Sequence, residues 1–271
     1  MATNRELIAK LMGSEKYVLA CAHFIALPGS PAYDREGGMK KIIDQALRDT
    51  KILLDNGVTS ILFVNEADIP YYEHLPVEGV AAFATVVNTV VNKLNIKIPY
   101  GINSIFDTTT GVAVANATGA TFLRGNFFGV WATRYGLLST QAPTLFRLKS
   151  NLGMKQQEPP YFFCNIGDAV GADLTGTNAV EQAKAHAHDI HAQAHAWSIA
   201  PDDLDMVKKV AEATPDFPVV VAKSTNHNNL KNLMEVFDGT IVASCLHEGG
   251  KLFAQVDAER TERFMKIFRS L

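Results

Sequence analysis

Eight short apolar runs, each ending in polar residues and each followed by a segment of helical character, constrain this chain more than any other feature. The runs are Tyr17 to His23, Ser60 to Asn65, Ile98 to Asn103, Thr121 to Asn126, Tyr161 to Ile166, Ala194 to Ile199, Pro218 to Lys223 and Thr240 to Ser244. The helical segments are Met39 to Asn56, Val77 to Leu94, Thr109 to Ala117, Pro143 to Leu152, Asn178 to His191, Asp202 to Ala213, Asn228 to Val236 and Asp257 to Leu271. Parallel neighbours need a crossover connection, so strict alternation of strand and helix implies a parallel sheet. Eight units in about 250 residues match a closed (β/α)8 TIM barrel, whose strands are buried on both faces and read as nearly continuous apolar runs. The alternative is an open doubly wound sheet. No run here is followed by its GxGxxG turn, and Gly37-Gly38 and Gly249-Gly250 read as loop joints.

With 271 residues and 47% apolar content, the chain can bury a full core. The only breaker-rich stretch, residues 153–160, leads straight into an apolar run, so one domain over 1–271 is expected, with residues 1–15 as an N-terminal helical extension. Lys plus Arg is 25 against Asp plus Glu 28, a net charge of -3, which lacks the basic field of a general nucleic-acid or membrane binder. No stretch approaches the roughly 18 apolar residues of a membrane span. Cys21, Cys164 and Cys245 are odd in number and far apart, as expected of reduced, buried thiols in a cytoplasmic protein.

In such barrels the chemistry sits at the carboxyl ends of the strands. Those ends supply His23, Asn65, Glu66, Asp68, Asn103, Asp107, Arg124 and Asn126 from the first half of the chain. The second half supplies Asn165, Asp168, Ser198, Lys223, Ser224, Ser244 and Cys245. Strand ends are polar in any α/β protein, so each position also has a purely structural reading. Arg124 follows Thr121-Phe122-Leu123, where a guanidinium needs a partner: either a carboxylate such as Asp68 or Asp107, or a bound anion held bidentately. Lys223 follows Val219-Val220-Val221-Ala222 and reads as a charge contact, with Schiff-base chemistry as the sharper alternative. His23 is a candidate acid or base, or a hydrogen-bonded structural histidine.

Glu66, Asp68, Glu73 and His74 share one loop and allow a divalent metal, though no fixed ligand spacing marks one and no cofactor is assigned. His186, His188 and His191 read as solvated histidines of an outer helix that ends before His195, which belongs to the sixth run, Ala194 to Ile199. The loop Phe127-Phe128-Gly129-Val130-Trp131 lines the pocket mouth or packs on another subunit; exposure as one patch would favour the interface.

The stretch His23-Phe-Ile-Ala-Leu27-Pro28-Gly29-Ser30-Pro31-Ala-Tyr33 resembles the opening of the BtpA family, which runs VHLPPLPGSPRY after the first strand. The likeness continues through Asn65-Glu-Ala-Asp68-Ile-Pro70, Ala117 to Asn126, Thr133 to Gly136, Asp238 to Ser244 and Val256 to Arg260, in order along nearly the whole chain. The resemblance implies a TIM barrel of the ribulose-phosphate-binding class. It also implies a link either to photosystem I biogenesis or to sugar-phosphate metabolism. After the fifth run, family members carry an acid, a histidine and a lysine. This chain instead has Cys164-Asn165-Ile166-Gly167-Asp168, where only Asp168 can compensate. The seventh turn, Ala222-Lys223-Ser224, and the eighth, Ala243-Ser244-Cys245, lack the glycines of related phosphate sites, leaving Lys223 and hydroxyls to hold a phosphate.

Two functions are therefore expected. One is a barrel that binds a small anionic metabolite, a sugar phosphate or nucleotide fragment, and acts on it. Its acid/base groups would be His23, Asp68 or Asp168, its anion clamps Arg124 and Lys223, its orienting groups Asn65, Asn103 and Asn126, with Ser224 and Ser244 at the phosphate. The other is a noncatalytic assembly or regulatory factor. A homo-oligomer is compatible with both.

Overall fold

The structure is a computed structural model describing residues 2–155, 157–167 and 171–271. Eight strands close a parallel barrel: β1 (Tyr17–His23), β2 (Ser60–Val64), β3 (Tyr100–Asn103), β4 (Phe122–Gly125), β7 (Tyr161–Ile166), β9 (Ala194–Trp197), β10 (Val219–Val221) and β11 (Gly239–Val242). Closure is made by β11 on β1, in the register Tyr17 to Gly239 through Ala20 to Val242. The expected (β/α)8 barrel is therefore the fold, with all eight barrel strands at the expected runs.

The helices α2 (Gly38–Asp55), α3 (Val77–Leu94), α4 (Thr108–Thr118), α5 (Ala142–Asn151), α6 (Ala179–His188), α7 (Leu204–Ala213), α8 (Leu230–Met234) and α9 (Ala258–Phe268) follow the strands in turn. Their apolar stripes pack on the outer faces of the strands, as Ile42, Ala46 and Leu53 of α2 and Phe83, Val86, Val87 and Val90 of α3 do, all fully buried.

A second, inner core fills the barrel with Tyr17, Leu19, Cys21, Leu62, Val64, Phe122, Phe163, Ala194, Ala196, Val220 and Ile241. Large rings in this layer require missing side chains opposite them. A Cβ on Gly101 would stand 2.3 Å from the Phe122 ring, and one on Gly239 2.4 Å from that of Tyr17.

Helix α1 (Asn4–Met12) closes the floor. Thr3 and Glu6 form a reciprocal capping box, and Ile8 and Met12 pack beneath Tyr17 as part of the inner core. Arg5 holds the helix in place through an ion pair to Asp238 and a hydrogen bond to the Phe217 carbonyl oxygen at 2.9 Å. With the bottom plugged, the open end of the barrel is the carboxyl end of the strands.

The connection from β4 to β7 departs from a simple loop and helix. It contains a hairpin, β5 (Val130–Thr133) and β6 (Gly136–Ser139), and β5 also pairs antiparallel with β8 (Gly171–Asp173). Unlike the barrel strands, none of these three is buried along its length, so no continuous apolar run marks them in the sequence. The hairpin is docked on the β2–α3 loop: Ser139 N–H donates to Glu73 Oε1 at 3.0 Å, and Tyr71 meets Tyr135 edge-on at 5.4 Å. Phe127 stacks on Phe162 at 4.9 Å and Trp131 is buried, so residues 127–131 do not form one exposed patch. Among the described residues, no helix is long and apolar enough to cross a membrane.

Candidate functional site at the barrel mouth

The first strand ends at His23. Gln45 of α2 donates its Nε2–H to the His23 carbonyl oxygen at 2.9 Å and fixes the strand end. The imidazole is nearly buried: Nε2 lies 3.8 Å from Glu66 Oε2, and the Leu252 carbonyl acts on the ring from the loop after β11. Burial, reinforced by the neighbouring His247, lowers its pKa to about 3, so the ring is neutral at ordinary pH. As a neutral imidazole it can take part in hydrogen bonds, and its burial opposes protonation.

The residues after β2 and β3 bind loops together. Asp68 Oδ1 accepts from the Leu27 backbone N–H at 2.7 Å, and Asp68 Oδ2 accepts from Asn65 Nδ2 at 3.1 Å. Asn65 Oδ1 accepts from the Ile105 N–H at 2.9 Å, so this pair fastens the loops after β1, β2 and β3 to one another. Burial raises the Asp68 carboxyl pKa, and it raises that of Glu66 against the opposing pull of Arg124. Asp107 caps α4, accepting from Thr110 N–H, Thr109 Oγ1, Thr110 Oγ1 and the Leu75 N–H. Asn103 is buried at the end of β3.

Arg124, on β4, is paired with neither Asp68 nor Asp107. Its Nε–H donates to Asn165 Oδ1 and its Nη2–H to Ser198 Oγ, each at 3.1 Å. Ser198 Oγ donates in turn to Asn165 Oδ1 at 2.8 Å, and Asn165 Nδ2 donates to Asn126 Oδ1. Among the described residues Arg124 is in no ion pair within 4 Å. Its charge is felt across the mouth by Glu66, His23 and Cys21. The guanidinium is thus oriented by neutral groups and left uncompensated by them.

The remaining expected residues fall elsewhere. Lys223 and Ser224 are exposed, so the apolar wall that would activate Lys223 is absent. Ser224 adopts φ 65°, and its carbonyl oxygen accepts from Asn226 Nδ2 and Asn229 Nδ2. Ser244 is half-buried at the start of a 3-10 turn. Asp168 lies outside the described residues. No group of three or more His, Cys, Asp or Glu among the described residues is placed to hold a metal ion, and Glu73 is engaged by the hairpin.

The outer-helix histidines also divide. His188 and His191 are exposed as expected, and α6 ends at His188. The expectation of solvated rings fails for His186, which is buried against His195 with centroids 5.5 Å apart. His195 lies within β9, where the barrel wall buries it. The three cysteines are free and buried.

The sequence reading missed His247. It follows β11, its ring meets His23 edge-on at 5.6 Å, and it lines with His23 a cavity of about 630 Å³ between the β1–α2 loop and residues 247–255. The signal in the sequence is a histidine two residues beyond Cys245, just past the end of the eighth run.

These features define a (β/α)8 barrel whose carboxyl-end mouth joins an arginine with no ion pair among the described residues to a pair of neutral histidines. The chain belongs to the BtpA family, which it matches over residues 14–270. It is 28% identical to the putative sgc region protein SgcQ of Escherichia coli, covering 96% of each chain. It is 25% identical to the photosystem I biogenesis protein BtpA of Synechocystis, covering 92% of this chain and 86% of that one. Among solved structures it superposes on thiamine phosphate pyrophosphorylase from Pyrococcus furiosus with TM-score 0.55 at 16% identity, covering 97% and 98%. That last likeness shows the shared barrel.

Proposed function

We propose that the chain binds a small anionic metabolite at the barrel mouth, a sugar phosphate or nucleotide fragment, and acts on it as an enzyme of sugar-phosphate metabolism. The observation that carries this reading is Arg124: a half-buried guanidinium held by Asn165 and Ser198, with no carboxylate partner among the described residues. A charge kept away from water without a counter-charge is costly unless a ligand supplies one. Arg124 is the anion clamp, Asn126 and Asn165 orient it, and His23, kept neutral by burial, is a hydrogen-bonding group beside it. The name of the thiamine phosphate pyrophosphorylase neighbour is consistent with a phosphorylated ligand.

A noncatalytic assembly role has one specific observation in its favour. Asn165, which cannot act as an acid, stands in β7 where the family resemblance implies one. The Synechocystis relative's name points the same way.

Thermal unfolding against inorganic phosphate, sugar phosphates and nucleotides tests the anion site. A ligand at about 100 times its Kd adds about 2.7 kcal/mol and raises the midpoint by a few degrees. The expected result is such a shift, lost in Arg124→Ala. No shift with any of these anions, in folded protein, overturns the proposal and leaves the assembly role standing.

A further inference from the structure

The cavity beside His23 has a chemistry different from that of Arg124. His247 is only 2% exposed, and its Nδ1 lies 3.2 Å from the Lys251 carbonyl oxygen and 3.0 Å from that of Leu252. Carbonyl oxygens only accept, so Nδ1 carries the proton and Nε2 is left as a lone-pair acceptor. The ring is clamped by backbone in one tautomer. Beside it, the nearly buried His23 ring meets that of His247 edge-on and lines the same cavity.

The charges around this cavity are already matched. Lys40 pairs with Asp44, Lys41 with Asp34 at 2.8 Å, and Arg48 with Asp49 at 3.0 Å. Gln45 Nε2 also donates to Asp49 Oδ2 at 2.6 Å, so neither residue is left to recognise an ion. The rest of the lining is largely apolar, with Phe24, Ala26, Ala67 and Leu252 among its walls. A space of about 630 Å³ with apolar walls and a few fixed polar groups suits a small organic ligand. A second anion is disfavoured, because the cations are neutralised and the imidazole presents a lone pair.

We propose that this cavity holds the uncharged, hydroxyl-bearing carbon skeleton of the ligand, with His247 Nε2 accepting from one of its hydroxyl groups. The proposal rests on the reading of Arg124 as the clamp for the anionic end, and it assigns the other end of the same molecule: a polyol or sugar ring whose C–H faces lie on the apolar walls. His23, bordering both the cavity and the mouth, stands between the two ends. His247 is then a specificity-determining residue that selects for hydroxyl donors.

Titration calorimetry on the full chain, with free neutral pentoses, hexoses and pentitols as one set of probes and inorganic phosphate as the other, separates the two halves. The expected result is that at least one neutral sugar or pentitol binds the wild type. His247→Phe weakens that binding about tenfold, the loss of one hydrogen bond, and His247→Gln, which keeps a carbonyl acceptor, restores part of it. If His247→Phe fails to fold, Ala254→Trp obstructs the cavity from its loop wall without removing a buried polar group. It is expected to abolish sugar binding while leaving the response to phosphate intact. Absence of binding by every neutral probe overturns the proposal, and so does sugar binding that Ala254→Trp leaves unchanged. Loss of phosphate binding alone, with sugar binding retained, counts against the Arg124 reading and not against this one.

Discussion

The imidazole of His23 meets that of His247 edge-on, with centroids 5.6 Å apart and planes at 90°. The two residues come from opposite ends of the chain, and what joins them is the pairing of β11 with β1 that closes the barrel. Their neighbourhood has consequences that can be measured.

The protein should lose stability on mild acidification. In the fold, burial lowers the pKa of both His23 and His186 to about 3, against an ordinary value of 6.5. Between these values the unfolded chain binds protons that the folded chain refuses. This contribution is therefore complete above about pH 6.5 and is lost as pH falls toward 3. Urea midpoints should decline from about pH 6.5 to 5, and His186→Leu should flatten that decline. An unchanged slope would contradict the buried neutral ring.

Asn165→Asp keeps the side chain's shape and places a carboxylate where Asn165 Oδ1 now accepts from Arg124 Nε at 3.1 Å. The guanidinium gains an internal counter-ion. The other carboxylate oxygen replaces the Asn165 Nδ2 that donates to Asn126 Oδ1, which offsets the gain in stability, and the expected outcome in thermal unfolding is no response to phosphate. A retained response would show that the anion site lies elsewhere.

Asp68→Asn should destabilise by about 1–3 kcal/mol in urea unfolding. One amide oxygen can still accept from the Leu27 N–H, but the amide nitrogen then faces the Asn65 Nδ2 donor. A neutral effect would mean that these loops are held together by other contacts.

Gly101→Ala tests the inner layer of the barrel. The added Cβ would stand 2.3 Å from the Phe122 ring carbons and 2.7 Å from the Phe122 carbonyl oxygen. Neither a packed ring nor a paired backbone gives way easily, so a loss of about 3 kcal/mol or more is expected by denaturant titration.

Much of the fold was legible because strand and helix announce themselves by period and length. The run Tyr161 to Ile166 became β7 and the segment Val77 to Leu94 became α3, each with the bounds expected of it. The hairpin at 130–139 was not legible, because four-residue strands such as Gly136–Ser139 lie mostly exposed and carry no alternation. At the site, His23, Asn65, Asp68, Arg124 and Asn126 could be named from their places at strand ends. Their partners could not. Asp68 and Asp107 are engaged by backbone donors, and Arg124 is held by Asn165 and Ser198, which come from two later strands.

The sequence by itself determined the eight-unit alternation, hence the closed parallel barrel and the end of it where polar residues gather, because apolar periodicity is local and survives without knowledge of contacts. Tertiary structure alone decided which of those polar residues face one another. His247 beside His23, Arg124 held by Asn165 and Ser198, and His186 against His195 all depend on distances between segments far apart in the chain. Such distances follow from barrel closure and register, and local sequence does not encode them.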